Sequence, residues 1–280
     1  MHTTAPWQRS ELHAALRAIA AQAAASILEV YGTEFAATAK ADASPLTEAD
    51  LRAHRLIVAG LSALEPRLPV LSEESAPEDL ASRREWRRYW LVDPLDGTKE
   101  FVSRNGEFTV NIALIDDGRP VFGLVHVPVT ATTYWGAEGV GAFRETSAEP
   151  ARALAVRTPA ATPLHVVGSR SHGSPEVARR LAALGPHVLH PVGSSLKLCL
   201  VAEGKADLYP RVGPTSEWDI ASGQAIVEAA GGVVVELGSG APLRYNQRDG
   251  LLNPDFLAAG DRDLAVRFLA IARGEEVGVE

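Results

Sequence analysis

The 280-residue sequence contains one cysteine, Cys199. A lone thiol excludes a disulfide within the chain and a Cys-based zinc cluster, and it fits a reducing compartment. Cys199 lies in the apolar stretch Leu196-Lys197-Leu198-Cys199-Leu200-Val201, which marks it as a core residue. Positive charge is also scarce: 27 Lys and Arg stand against 35 Asp and Glu, a net charge of -8. That balance argues against a partner of nucleic-acid backbone, which calls for a basic face. It leaves room for a local cationic pocket. No apolar run approaches the ~20 residues that span a bilayer. The Ala-rich first thirty residues are broken by Glu11, Arg17 and Glu29 and lack a cleavage pattern, so they do not read as a secretory signal. The expected address is the cytoplasm. Solenoid-type repeats are absent too.

What remains is an ordinary globular composition, 46% hydrophobic and 22% charged, in a chain long enough for one large domain or two packed ones. Apolar spacing predicts helices over 10–31 and 47–64, the second opened by a capping box at Thr47-Glu48-Ala49-Asp50. Strands are predicted at 69–72, 89–92, 108–115, 121–127 and 131–135. Residues 1–150 thus read as an α+β domain, two helices on a largely antiparallel sheet. Between Arg144 and Pro163 the composition turns to Ala, Pro, Thr and Ser, the expected boundary. Residues 151–280 alternate strand and helix and read as an α/β domain.

The most informative segment is Asp93-Pro94-Leu95-Asp96-Gly97-Thr98. It follows the apolar strand Tyr89-Trp90-Leu91-Val92, placing Asp93 at the strand end and Asp96 in the turn beyond. Pro94 stiffens that turn. Two carboxylates so close repel each other unless a cation separates them or one is protonated, and hard divalent cations take oxygen ligands. Gly97 and Thr98 offer amide donors at a predicted helix start, where phosphate binds. Glu73 and Glu74 also follow a strand, and Asp219 opens a helix over 219–230. Converging strand and helix ends would gather Glu73, Asp93, Asp96 and Asp219.

These motifs, Ser72-Glu73-Glu74, Asp93 to Thr98, and Trp218-Asp219 with Glu228-Ala229-Ala230-Gly231-Gly232, resemble the inositol monophosphatase superfamily of lithium-sensitive, Mg²⁺-dependent phosphatases. They span most of the chain in that family's order. Finer features resemble the bacterial CysQ-type 3'(2'),5'-bisphosphate nucleotidases: Lys40-Ala41-Asp42 with Ser44 to Thr47, Lys99-Glu100-Phe101, Arg104 to Asn111, Ser169-Arg170-Ser171-His172, and Gly193 to Lys197. The resemblance implies a layered αβαβα sandwich and two or three Mg²⁺ ions. Glu73, Asp93 and the Leu95 carbonyl would hold one ion, and Asp93, Asp96 and Asp219 a second. Glu73 would also reach a third. Asp50 and Thr98 would draw the proton from the attacking water, a role that for Asp50 competes with helix capping.

Where inositol monophosphatases carry an acidic residue before the Trp-Asp signature, this chain has Tyr209-Pro210-Arg211. A guanidinium there favours a second anionic group on the substrate, unless it pairs with Glu217. The resemblance assigns His172, Ser195, Lys197 and Arg211 to the nucleotide and its uncleaved phosphate, has Gly97 and Thr98 hold phosphate oxygens, and counts Glu73, Leu95, Asp96 and Asp219 among the substrate contacts as well. It implies hydrolysis of adenosine 3',5'-bisphosphate to AMP and phosphate, with 3'-phosphoadenylyl sulfate as a second substrate and a place in sulfur metabolism. It leaves room for peripheral association with the cytoplasmic face of the inner membrane. The rival readings are an inositol- or sugar-monophosphate phosphatase and a non-catalytic Mg²⁺-dependent nucleotide sensor. Ser222 stands where relatives often have alanine, too small a change to cost chemistry.

Overall fold

The computed structural model describes residues 5–39, 45–168 and 174–273. The chain opens with helix α1 (Ser10–Tyr31), the short strands β1 (Thr38–Ala39) and β2 (Pro45–Leu46), and helix α2 (Glu48–Ser62). Strands β3 (Val70–Ser72) and β4 (Arg88–Asp96) lead through the one-turn helix α3 (Thr98–Val102) to β5 (Thr109–Asp116), β6 (Arg119–Val127), β7 (Thr132–Ala137), β8 (Gly141–Glu145) and β9 (Arg152–Leu154). Then follow β10 (Leu164–Gly168), α4 (Pro175–Leu184), β11 (His187–Pro191), α5 (Leu196–Ala202), β12 (Leu208–Arg211) and α6 (Glu217–Ala229). Strands β13 (Val233–Glu236) and β14 (Phe256–Ala259) and helix α7 (Arg262–Ala272) complete it.

Strands β3 to β9 form one seven-stranded sheet in sequence order, antiparallel except for the parallel pair β3–β4. A second sheet has the order β11-β10-β12-β14-β13. Helices α1 and α2 cover the outer face of the first sheet through Leu16, Ile27, Ala53, Ile57 and Leu61. Helix α6, with α5 beside it, lies between the sheets, and a single core runs from Leu71 and Leu91 through Ile226 to Phe256. Helices α4 and α7 close the far side around Leu181 and Phe268. The layers are therefore αβαβα, as the resemblance implied. Glycine permits the middle contact: a Cβ on Gly123 would stand 2.0 Å from the Ser222 carbonyl oxygen.

Local patterns explain most elements. The inward stripe of α1 is Leu16, Ile19, Ala23, Ile27 and Val30, with Leu12 half-buried where the same spacing would continue it. In α2 the buried line is Ala49, Ala53, Ile57 and Leu61, with Leu51 and Val58 at its flank rather than centre. Thr47 caps this helix, its Oγ1 accepting from Ala49 N at 3.2 Å. Three features depart from expectation. Strands β8 and β9 extend the first sheet to Leu154, inside the segment read as a boundary. Strand β14, which was not expected, inserts antiparallel between β12 and β13. And α1, with a mean hydropathy of 1.2, does meet the length and composition of a membrane span; its stripe here packs on α2 and the sheet.

One buried group carries a pH signature. His126 on β6 lies opposite Thr133 on β7, with its Nδ1 2.8 Å from the threonine Oγ1. Burial lowers its pKa from 6.5 to about 4. The folded state resists protonation, so stability should be retained above about pH 6.5 and lost as pH falls toward about 4, by up to about 3 kcal/mol. His126→Gln lacks the titrating ring, so its urea midpoint should fall less between pH 7 and 4.5 than that of the parent. Equal losses in the two proteins would refute this.

Candidate active site

Register explains how the two acids of the Asp93-Pro94-Leu95-Asp96 segment come together. Asp93 pairs with Asn111 and Asp96 with Thr109, so β4 spends three steps where β5 spends two. The extra residue is a β-bulge. In a regular strand, residues three apart face opposite sides; the bulge turns both acids to one side. Pro94, which has no amide proton to give the ladder, sits within it. Asp96 is therefore a strand residue and not, as expected, part of a following turn. Gly97 then takes a left-handed conformation (φ 87°) and caps α3.

Asp219 arrives from the other side. The helix begins at Glu217, with Ser216 as its N-cap, and Asp219 reaches back to accept Ser216 N at 2.8 Å. It is thus the third residue of the helix, closing a capping box, rather than the helix opener that was expected. Asp93, Asp96 and Asp219 each place a carboxylate oxygen within 4.8 Å of the others. Glu73, whose amide extends the β3–β4 pairing by donating to Val92 O at 3.1 Å, stands against Asp93.

Burial pushes the Asp93 carboxyl well above the usual range, and the negative charges of Glu73, Asp96 and Asp219 push it further. Burial likewise raises Asp219, followed by Asp96, while the Ser216 amide and Arg211 oppose the rise. Such a group of acids cannot all ionise without a compensating cation. The donors are all oxygen, the chemistry of Mg²⁺ or Ca²⁺ rather than of a soft metal. The residues fit a hard divalent ion.

Beside them, the two readings of Asp50 prove compatible, because each uses a different oxygen. Its Oδ2 accepts Thr47 N at 2.7 Å and Thr47 Oγ1 at 2.6 Å. Its Oδ1 faces the Thr98 hydroxyl at 3.5 Å, which also lies 3.3 Å from the Leu95 carbonyl.

The acids open onto a cleft of about 180 Å³ lined by Gly97, Ser194, Lys197, Tyr209, Arg211 and Thr215 among others. Lys197 is 7% exposed, so it is no solvated helix charge. Its Nζ donates to Ser194 O at 2.6 Å and Val192 O at 3.3 Å and sits 5.4 Å from the Tyr209 ring centre. Burial lowers its pKa, with Asp96 opposing most strongly. Arg211 does not pair with Glu217: it donates to Pro214 O at 2.9 Å, and its Nε is buried without a partner. Glu217 instead accepts Asn246 N on both oxygens, at 2.9 and 2.8 Å. Arg211 also borders an apolar cavity of about 280 Å³ formed with Val166, Leu181, Leu189 and His190.

Ser195 is 3% exposed. Its Oγ is 2.6 Å from both Asp96 Oδ2 and the Asp219 carbonyl, and it accepts Asn111 Nδ2 at 2.7 Å. Asn111 and Thr109 fall in the Arg104 to Asn111 motif but were given no role from the sequence; their signal is polarity recurring every second residue in an otherwise apolar strand. His172 lies outside the described residues, as do Lys40 to Ser44 and Ser169 to Ser171.

Comparison with known proteins points to one family. The sequence model of the inositol monophosphatase family matches residues 8–274. The 3'(2'),5'-bisphosphate nucleotidase CysQ of Shigella flexneri is 51% identical over 240 residues, which is 85% of this chain and 95% of that protein. CysQ of Escherichia coli K12 is 50% identical over the same shares. The crystal structure of CysQ from Bacteroides thetaiotaomicron superposes with a TM-score of 0.77 at 43% identity, covering 91% of this chain and 98% of that one.

Proposed function

The chain belongs to the inositol monophosphatase family, and from that premise we propose that it is a 3'(2'),5'-bisphosphate nucleotidase, releasing the 3'-phosphate of adenosine 3',5'-bisphosphate to give AMP and phosphate. Its CysQ relatives, about half identical over most of their length, support the reaction. Enzymes of this family depend on metal, and the gathered carboxylates provide for it. We take the metal to be Mg²⁺, in two or three ions, held by Glu73, Asp93, the Leu95 carbonyl, Asp96 and Asp219. When bound, it neutralises phosphoryl charge and acidifies water.

The chain's own groups do the rest. Asp50 Oδ1, facing Thr98, accepts through that hydroxyl the proton of the attacking water, while Oδ2 stays fixed by Thr47. Amides of the first turn of α3 have no helical partner and are placed for phosphate oxygens at Gly97 and Thr98. Arg211 carries the substrate assignment. The residue lines both the acidic cleft and the apolar cavity, where a nucleotide's second phosphate and its base would divide, and its Nε is buried without a partner. Lys197 adds charge on the same side, and we keep His172 as a further nucleotide contact. Residues 1–150 then supply most metal ligands, and residues 151–280 supply Asp219 and specificity. We assign the reaction to the cytoplasm, in keeping with the buried thiol of Cys199.

With Mg²⁺ present, kcat/KM should be clearly higher for adenosine 3',5'-bisphosphate than for inositol 1-phosphate, and EDTA should abolish phosphate release from both. A preference for the inositol ester would favour the monophosphatase reading. Nucleotide binding without phosphate release would favour the sensor.

A further inference from the structure

Asp96 has one carboxylate oxygen enclosed by donors. Its Oδ2 lies 2.6 Å from Ser195 N and 2.6 Å from Ser195 Oγ, and 3.4 Å from both Thr109 Oγ1 and Asn111 Nδ2. Among the described residues no hydrogen bond reaches Oδ1. We propose that Asn111 is a positioning residue: through Ser195 it locks Oδ2 of Asp96, so that Oδ1 is presented to the cation. This rests on the metal-site reading given above and extends it to Asn111, which belongs to neither the metal-ligand nor the substrate set.

Proton counting fixes the direction of the chain of contacts. Asn111 Oδ1 lies 3.0 Å from Thr109 Oγ1, a hydroxyl that donates to it, which orients the amide. Its Nδ2 then donates to Ser195 Oγ at 2.7 Å. With that lone pair used, the single Ser195 proton is left for Asp96 Oδ2 or the Asp219 carbonyl, both at 2.6 Å. A flipped amide would aim a carbonyl oxygen at Asp96. Thr109 and Asn111 are wholly buried, where an unsatisfied amide is costly, which favours the orientation with Nδ2 toward Ser195 and Asp96.

The contacts also join the first sheet to the helices of the middle layer. Asn111 belongs to β5 of the first sheet, Ser195 directly precedes α5, and Asp219 is on α6. The seam is tight: a Cβ on Gly193 would stand 2.7 Å from Glu100 Cγ and 3.0 Å from the Glu107 carbonyl oxygen. Metal ligands drawn from Asp96 and Asp219 are thereby held in mutual register by a neutral side chain. Aspartate at position 111 would keep the shape but add a fifth carboxylate to Glu73, Asp93, Asp96 and Asp219.

The test is a Mg²⁺ titration of the full-length protein read in two ways, by the rise of Tm and by phosphate release. Asn111→Ala should raise the half-saturating Mg²⁺ about 10–100-fold by both readouts, with KM for the bisphosphate unchanged and kcat largely restored at high Mg²⁺. Ser195→Ala should raise the half-saturating Mg²⁺ by a similar factor in the Tm readout, whatever its effect on KM, and in that readout the double variant should be no worse than the weaker single, since both break one contact chain. A variant with lowered metal-free Tm but parental half-saturation would overturn the proposal, as would additive losses in the double variant. Should Asn111→Ala not fold, Ser195→Ala is judged by the same half-saturation criterion. A parent protein whose Tm and activity ignore Mg²⁺ would instead overturn the metal-site reading itself, and the positioning role with it.

Discussion

Asp93→Asn should lower phosphate release at saturating Mg²⁺ by about a thousandfold or more, while the metal-free protein becomes no less stable. Losing a shared ligand that neutralises phosphoryl charge removes about 4 kcal/mol of transition-state stabilisation on this scale. The stability half runs the other way. Burial and three acidic neighbours raise the Asp93 pKa, so its ionised form is disfavoured in the folded chain. A raised carboxyl pKa costs stability once pH exceeds the unfolded value near ~3.9, and the cost grows up to the folded pKa. At neutral pH the amide removes that cost. It also retains an oxygen for the contact Leu95 N makes with Oδ1 at 3.0 Å. In EDTA the variant's Tm should therefore equal or exceed the parent's, and in Mg²⁺ the order should invert. Initial rates with thermal melts in both buffers decide it. A variant that melts lower in EDTA would show that the carboxylate serves the fold rather than the ion.

That inversion reflects how the site was legible at all. Acids placed where an apolar strand ends conflict with burial, and conflict of local and global preference marks function. Hence Glu73, Asp93, Asp96 and Asp219 stood out before any geometry was known, and so did the two long helices, whose stripes follow a local period. What stayed hidden depends on pairing across the sequence. The bulge between Asp93 and Asp96 exists only relative to β5, and nothing in the Asp-Pro-Leu-Asp segment states its partner. Strand β14 has four apolar residues and finds its place between strands nearer the N-terminus, so its period is too short to read. Strand β9, the outer edge of its sheet, is three residues in a stretch of Ala, Pro and Thr. Ser195 shows the same limit in the site. The resemblance gives its hydroxyl to the nucleotide, but its contacts with Asp96 and Asn111 span 99 and 84 residues of sequence, and no local pattern announces them.

Arg211 offers the second large effect, and it concerns which ester is chosen. Its guanidinium spends one donor on Pro214 O, and its Nε is buried with no partner. An unpaired buried donor costs stability in the free protein, and a phosphate entering the cleft would relieve that cost through charge-assisted hydrogen bonds. Arg211→Ala removes both the cost and the reward. For adenosine 3',5'-bisphosphate kcat/KM should fall about 30–1,000-fold, corresponding to the roughly 2–4 kcal/mol of a charged, bidentate contact. Hydrolysis of a monophosphate such as inositol 1-phosphate or 3'-AMP has no second phosphate to lose and should change little. The ratio of the two specificity constants, not either alone, is the measurement. Lys197→Met, which deletes the neighbouring charge at similar length, should move that ratio in the same direction. It should move it less, because the Lys197 ammonium already serves Ser194 O and Val192 O. Equal losses on bisphosphate and monophosphate after Arg211→Ala would mean that the arginine supports the acidic cluster, whose Asp219 it also faces, and selects nothing.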